Sequence, residues 1–152
     1  MKSIWTRAGR LAVFPALFFL PSQVFAEDIC AALDRMVDVA LERGSEASAS
    51  IGDAEACGVA LQADGKAPYC YWSFPLRAQE ARSAFSRLES DLRTCLGSGL
   101  PYLPDQDVNH PDSYTAGSFQ TNEAEIAISL KDKAALNQTL VFLRVGQRPK
   151  TD

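Results

Sequence analysis

The sequence lacks most of the motifs by which hydrolases and nucleotide-using enzymes announce themselves. There is no G-x-S-x-G elbow, no S-x-x-K, no H-E-x-x-H and no phosphate-binding glycine loop. Histidine occurs once, at His110. A Ser-His-Asp site would therefore have to use His110, with Asp112 and Ser113 beside it, and adjacency along the chain is not triad geometry. No C-x-x-C pair is present, which excludes the usual dithiol redox motif and the usual structural zinc pattern. No internal repeat is visible. The chain also lacks an excess of positive charge: 15 Lys+Arg stand against 19 Asp+Glu. An acidic chain repels phosphate backbones and anionic lipid, so nucleic-acid binding has no support.

What is present begins with a leader. Lys2, Arg7 and Arg10 give a positive start, and 11–20 (LAVFPALFFL) is an apolar run of signal-peptide length. Pro21 ends the run, and Val24-Phe25-Ala26 supplies acceptable residues for peptidase recognition, so cleavage is predicted between Ala26 and Glu27. The run is too short for a membrane span, which needs about 20 residues. Cys30 follows Glu27-Asp28-Ile29 rather than a small residue, which argues against lipidation. The expected product is exported to the periplasm or the medium, soluble and not inserted in a membrane. Losing the leader's three basic residues moves the net charge of −4 further negative. Residues 27–146 suit one domain, and 147–152 read as a loose polar tail.

The four cysteines, Cys30, Cys57, Cys70 and Cys95, all follow the predicted cleavage point. An even number in an exported chain predicts two disulfides.

Hydrophobic periodicity supplies the elements. Cys30, Leu33, Val37 and Ala40/Leu41 recur at helical spacing over 28–43, with Gly44 placed to stop the helix. CGVALQ (57–62) and YCYWSF (69–74) read as strands about an Asp64-Gly65 turn, with Pro68 confined to a strand edge or start. Ala81, Phe85, Leu88, Leu92 and Cys95/Leu96 form a second helical stripe over 78–96, ended by Gly97. Residues 98–111 read as irregular. Three further strands are predicted at 114–120, 123–130 and 139–145, with the chain turning at 131–135.

The predicted fold is therefore α+β in the order α-β-β-α-β-β-β, with two helices packed on one face of an antiparallel sheet. Antiparallel helices would bring Cys30, at the start of the first, near Cys95, at the end of the second. Cys57 and Cys70 remain as the other pair. About an Asp64-Gly65 turn they would be diagonal neighbours across the hairpin.

Two clusters could carry function. In 69–74, alternation puts Cys70, Trp72 and Phe74 on one face and Tyr69 and Tyr71 on the other. Trp72 and Phe74 read as core anchors under the helices, and Tyr69 and Tyr71 as a partner surface. The second cluster is Asp105, Asp107, Asn109 and Asp112. Asp-x-Asp-x-Asn opens a calcium-loop pattern, but His110 stands where the sharp turn needs glycine and Ala116 where a bidentate glutamate belongs. Turn-rich loops use the same residues without any ligand. No cofactor is predicted.

The leading functional expectation is a non-catalytic exported protein that binds another macromolecule, an envelope protein, as an inhibitor, immunity-type or accessory protein. The alternatives are a small-ligand or cation-binding module using 105–112 and a hydrolase centred on His110.

Overall fold

The computed structural model describes residues 24–43, 50–105 and 114–148. The predicted leader lies almost wholly outside these residues. Helix α1 spans Val24–Ala40, strands β1 and β2 span Ala56–Gln62 and Gly65–Pro75, and helix α2 spans Gln79–Leu96. Then come β3 (Tyr102–Pro104), β4 (Tyr114–Gln120), β5 (Ala124–Lys133), a short 3-10 turn (Ala134–Leu136) and β6 (Gln138–Gln147). The six strands form one sheet in the order β1-β2-β6-β5-β4-β3. Every neighbouring pair is antiparallel. The α+β architecture with its two helices is as predicted. The sheet has one strand more, because β3 lies inside the stretch read as irregular. It is only three residues long, too short for alternation to register.

Helix α1 differs from expectation at both ends. It starts at Val24 and stops at Ala40, before the expected Gly44. The stop is made by Glu42, with φ 55°. The Arg43 N–H donates to the Asp38 carbonyl at 2.9 Å, and the Glu42 N–H to the Val39 carbonyl at 3.2 Å. These are the paired bonds of a Schellman motif, here built on a non-glycine residue. The Gln147 side-chain amide also donates to the Ala40 carbonyl, at 3.1 Å. Among the described side chains of α1, Ile29, Ala32, Leu33, Met36, Val39 and Ala40 are buried. Cys30 and Val37 sit at the margin of the core. Cys30 faces α2 rather than the sheet, because it is bonded to Cys95.

Helix α2 follows the predicted pattern: Ala81, Phe85, Leu88 and Leu92 are buried. On its polar side Glu89 and Arg93 form an i,i+4 ion pair at 2.7 Å. The same guanidinium lies 5.3 Å from the centre of the Tyr102 ring, and Tyr102 packs on Phe119 with ring centres 5.2 Å apart. These contacts hold the short β3 against the rest of the sheet.

Both helices pack over one face of the sheet. In β5 that face carries Ala124, Ile126 and Ile128, and in β6 it carries Val141, Leu143 and Val145, all buried. These side chains meet Leu33 and Met36 of α1 and Phe85, Leu88 and Leu92 of α2 in one core. Each large apolar side chain buried there stabilises by roughly 1.5–3 kcal/mol.

Both predicted disulfides are present. Cys30 and Cys95 are bonded, with Cα atoms 5.2 Å apart, as antiparallel helices require. Cys57 and Cys70 are bonded with Cα atoms 4.0 Å apart. The hairpin register corrects the expected diagonal arrangement: Cys57 lies directly opposite Cys70, and the last pair is Gln62 with Gly65. Ala63 and Asp64 thus form the turn, and Gly65, at φ 129°, opens β2 in a conformation that side chains disfavour. Pro68 lies just where the β2–β6 ladder ends, at Tyr69 opposite Arg144, so its missing N–H is not needed there.

The turn between β5 and β6 also falls later than predicted. Strand β5 runs on through Lys133, and Asn137 makes the reversal with φ 54°. The extra length buries Asp132, 5% exposed. Its carboxylate accepts the Thr139 hydroxyl at 2.7 Å and the Arg77 guanidinium Nε at 3.1 Å. Thr139 Oγ1 in turn accepts the Arg77 backbone N–H at 2.7 Å. This knot fixes Arg77, whose φ is 60°, at the connection from β2 to α2. Thr139→Val keeps the shape but removes one donor to a buried carboxylate and the acceptor of a backbone N–H. Such a loss should cost about 2–3 kcal/mol, read as a lower urea midpoint at unchanged slope. An unchanged midpoint would show that the knot is not holding the connection.

Candidate functional site

The sheet has two faces and the helices cover one. Among the described residues no helix lies on the other. Strand alternation puts Tyr69 and Tyr71 of β2 on that open face, together with Phe142 and Arg144 of β6, because Tyr71 pairs with Phe142 and Tyr69 with Arg144. The Tyr71 and Phe142 rings pack with centres 5.5 Å apart at an interplanar angle of 36°. Tyr69 lies across its other neighbour, Gly58 of edge strand β1. A Cβ at Gly58 would stand only 2.9 Å from the Tyr69 hydroxyl, so the glycine is what lets the ring lie flat over the edge strand. The Cys57–Cys70 bond, one residue along on each strand, ties the same two strands on the helix side.

These rings form one wall of a groove of about 770 Å³ across the open face. Its far wall is Leu103 and Pro104 of β3, and its floor includes Ala127 and Ser129 of β5. Small residues in the central strand and large ones at the flanks make the hollow. Arg144 is held over the floor by the Gln62 side-chain carbonyl at 3.0 Å, with the Glu125 carboxylate 3.9 Å away. The aromatic surface is therefore half-buried and braced rather than loose. Tyr and Arg around a partly apolar hollow are among the residue types that dominate binding energy at protein interfaces.

The sequence pattern places Tyr69 and Tyr71 on this face, and the structure agrees. It does not single out Phe142, Leu103 and Arg144, which are brought in by pairing across the sheet. Period-two alternation in TLVFLRV is the available signal for Phe142 and Arg144. Nothing local announces Leu103.

Trp72 and Phe74 depart from expectation. They pack against the core on the helix side, but at its margin and only half-buried. The Trp72 indole N–H donates to Asp53 Oδ1 at 3.1 Å, and the Ser73 hydroxyl bonds to the Glu55 carboxylate. Both rings line a second hollow, of about 1060 Å³, between α2 and the 51–55 segment. Cys70 takes the fully buried place on that face of β2.

Of the calcium-like loop, Asp105 is exposed and lines the open-face groove, its N–H donating to the Ala116 carbonyl at 2.9 Å. Asp107, Asn109 and Asp112 lie outside the described residues, as do His110 and Ser113. Among the described residues, no group of three or more His, Cys, Asp or Glu side chains is placed to hold a metal ion. No helix there is long and apolar enough to cross a membrane. Both disulfides belong to chemistry that persists in oxidising, extracytoplasmic compartments. The chain matches no protein-family model, no curated protein and no solved structure.

Proposed function

We propose that this is an exported, non-catalytic protein that binds an envelope protein through the open face of its sheet, as an inhibitor, immunity-type or accessory protein. The observation that carries the reading is the braced aromatic groove of Tyr69, Tyr71 and Phe142 on the face the helices leave uncovered. A fold with its helices on one side buries its core there, and a half-apolar groove on the other side gains from a partner that removes it from water. The leader supports export. Cleavage after Ala26 would shorten α1 by its first three residues and keep the buried residues described from Ile29 to Ala40.

The test is affinity capture from the cell envelope by the tagged full-length chain after export, beside the Tyr69→Ala/Tyr71→Ala variant. The reading expects a partner retained by the first and lost by the second, and a captured bait whose N-terminus is Glu27. A partner held equally by both baits would remove the open face from the account. A bait beginning at Met1 would remove the cleaved leader.

A further inference from the structure

We propose that the hollow between α2, the 51–55 segment and β2 is a second binding site, for an organic cation carried on an apolar body. It lies on the helix side of the sheet, so it is independent of the open-face groove. Its volume of about 1060 Å³ is enough for a drug-sized ligand. The floor is apolar: Trp72, Phe74 and Val141 from the sheet, with Leu88 from α2. The rim is not. Asp53, Glu55, Glu80 and Asp91 all line it, against a single basic residue, Arg87.

That imbalance selects the sign of the ligand. The apolar floor selects its body, and the Trp72 ring offers the strongest cation-accepting face among the aromatic side chains. A bare metal ion is the wrong fit, because the carboxylates are distributed around the rim rather than gathered; among the described residues no three converge. Burial pushes the Asp91 carboxyl above its usual range, and the Arg87 guanidinium only partly offsets this. An arriving cation would favour the charged form of Asp91 and gain from its ionisation. Asp53 is held in place by the indole N–H, so one carboxylate of the rim is already oriented before any ligand arrives.

The same chemistry is available from a free amine or from a lysine or arginine side chain of a peptide. The test therefore uses three probes: phenethylammonium, phenethyl alcohol as its neutral counterpart, and a short peptide of alternating lysine and leucine. The full chain carries Trp5→Phe, which leaves Trp72 as its one tryptophan. Binding is read by titration calorimetry and by the fluorescence of Trp72. We expect the amine to bind at least about tenfold more tightly than the alcohol and to perturb Trp72. Glu80→Gln/Asp91→Asn should weaken the amine by about fivefold per carboxylate removed, and Arg87→Gln should tighten it by a similar factor. Tyr69→Ala/Tyr71→Ala should change neither. A peptide that binds more tightly than the amine assigns the site to a basic segment of a macromolecule, and the reverse order to a small metabolite. Equal binding of amine and alcohol, no response from Trp72 to any probe, or charge variants that fold normally and bind unchanged would overturn the proposal.

Discussion

Removing the Cys30–Cys95 bridge, as Cys30→Ala/Cys95→Ala, is expected to lower the unfolding free energy by about 4 kcal/mol, and removing Cys57–Cys70 by about 3 kcal/mol. The order follows from the loops the bridges close, with sequence separations of 65 and 13. A cross-link restricts the unfolded chain more when it closes a longer loop, and the growth is logarithmic, so a fivefold difference in length changes the effect only modestly. Either loss is a large part of the roughly 5–15 kcal/mol that holds a domain together. Urea unfolding of the two alanine pairs, compared at equal slope, measures both. A larger loss from the shorter loop would mean that folded-state packing around Cys70, which is fully buried, outweighs chain entropy. The bridges also have local consequences. Cys30–Cys95 closes the end of the helix layer beside the acidic hollow, and Cys57–Cys70 fixes the pairing that sets Tyr69 across Gly58.

The second large effect is expected on binding. Buried tyrosines at interfaces cost about 2 kcal/mol each when truncated, which is about 30-fold in affinity. Tyr69 and Tyr71 lie on adjacent positions of one face and share a partner surface, so their losses will not add fully. The double alanine variant should therefore bind the captured partner on the order of 100-fold more weakly, mostly through faster dissociation. Its own stability should fall much less. Both side chains are only half-buried: within the chain Tyr71 packs against the Phe142 ring and Tyr69 lies over Gly58, which has no side chain to lose contact with. Leu136→Ser, at an exposed leucine in the turn before β6, controls for general loss of surface hydrophobicity and should bind as the parent does.

Much of this arrangement is legible in the residues. The stripe of α2 can be read because Ala81, Phe85, Leu88 and Leu92 are separated by three or four positions and bounded by polar residues. The disulfide pairing follows from compartment and from antiparallel helices alone. Elsewhere the readable pattern points slightly wrong. In α1 the apolar positions nearly surround the helix, so Met36 cannot be told from Val37 as the buried one. Asp64-Gly65 is a strong turn signal, yet the opposed cysteines and Pro68 fix a register that moves the turn back by one residue. Lys131-Asp132-Lys133 looks like a solvated turn, whereas Asp132 is buried because Thr139 and Arg77, on other segments, supply its donors.

The functional surfaces divide along the same line. Tyr69 and Tyr71 are visible because alternation within one strand is local information. The groove is not, since its walls come from β2, β6 and β3, and only the sheet order places them together. The acidic hollow is hidden for a similar reason: Asp53, Glu80 and Asp91 are far apart along the chain, and Trp72 reads as an ordinary core anchor.

The most direct test of the central claim is site-specific photo-crosslinking in living cells, with a photoreactive residue in place of Ala127 on the open face or of Ser90, exposed on α2. The account predicts one discrete crosslinked species from position 127, none from position 90, and loss of that species when Tyr69 and Tyr71 are alanine. A crosslink from position 90 alone, or one from position 127 that survives the tyrosine substitutions, would contradict the assignment of the open face as the binding surface.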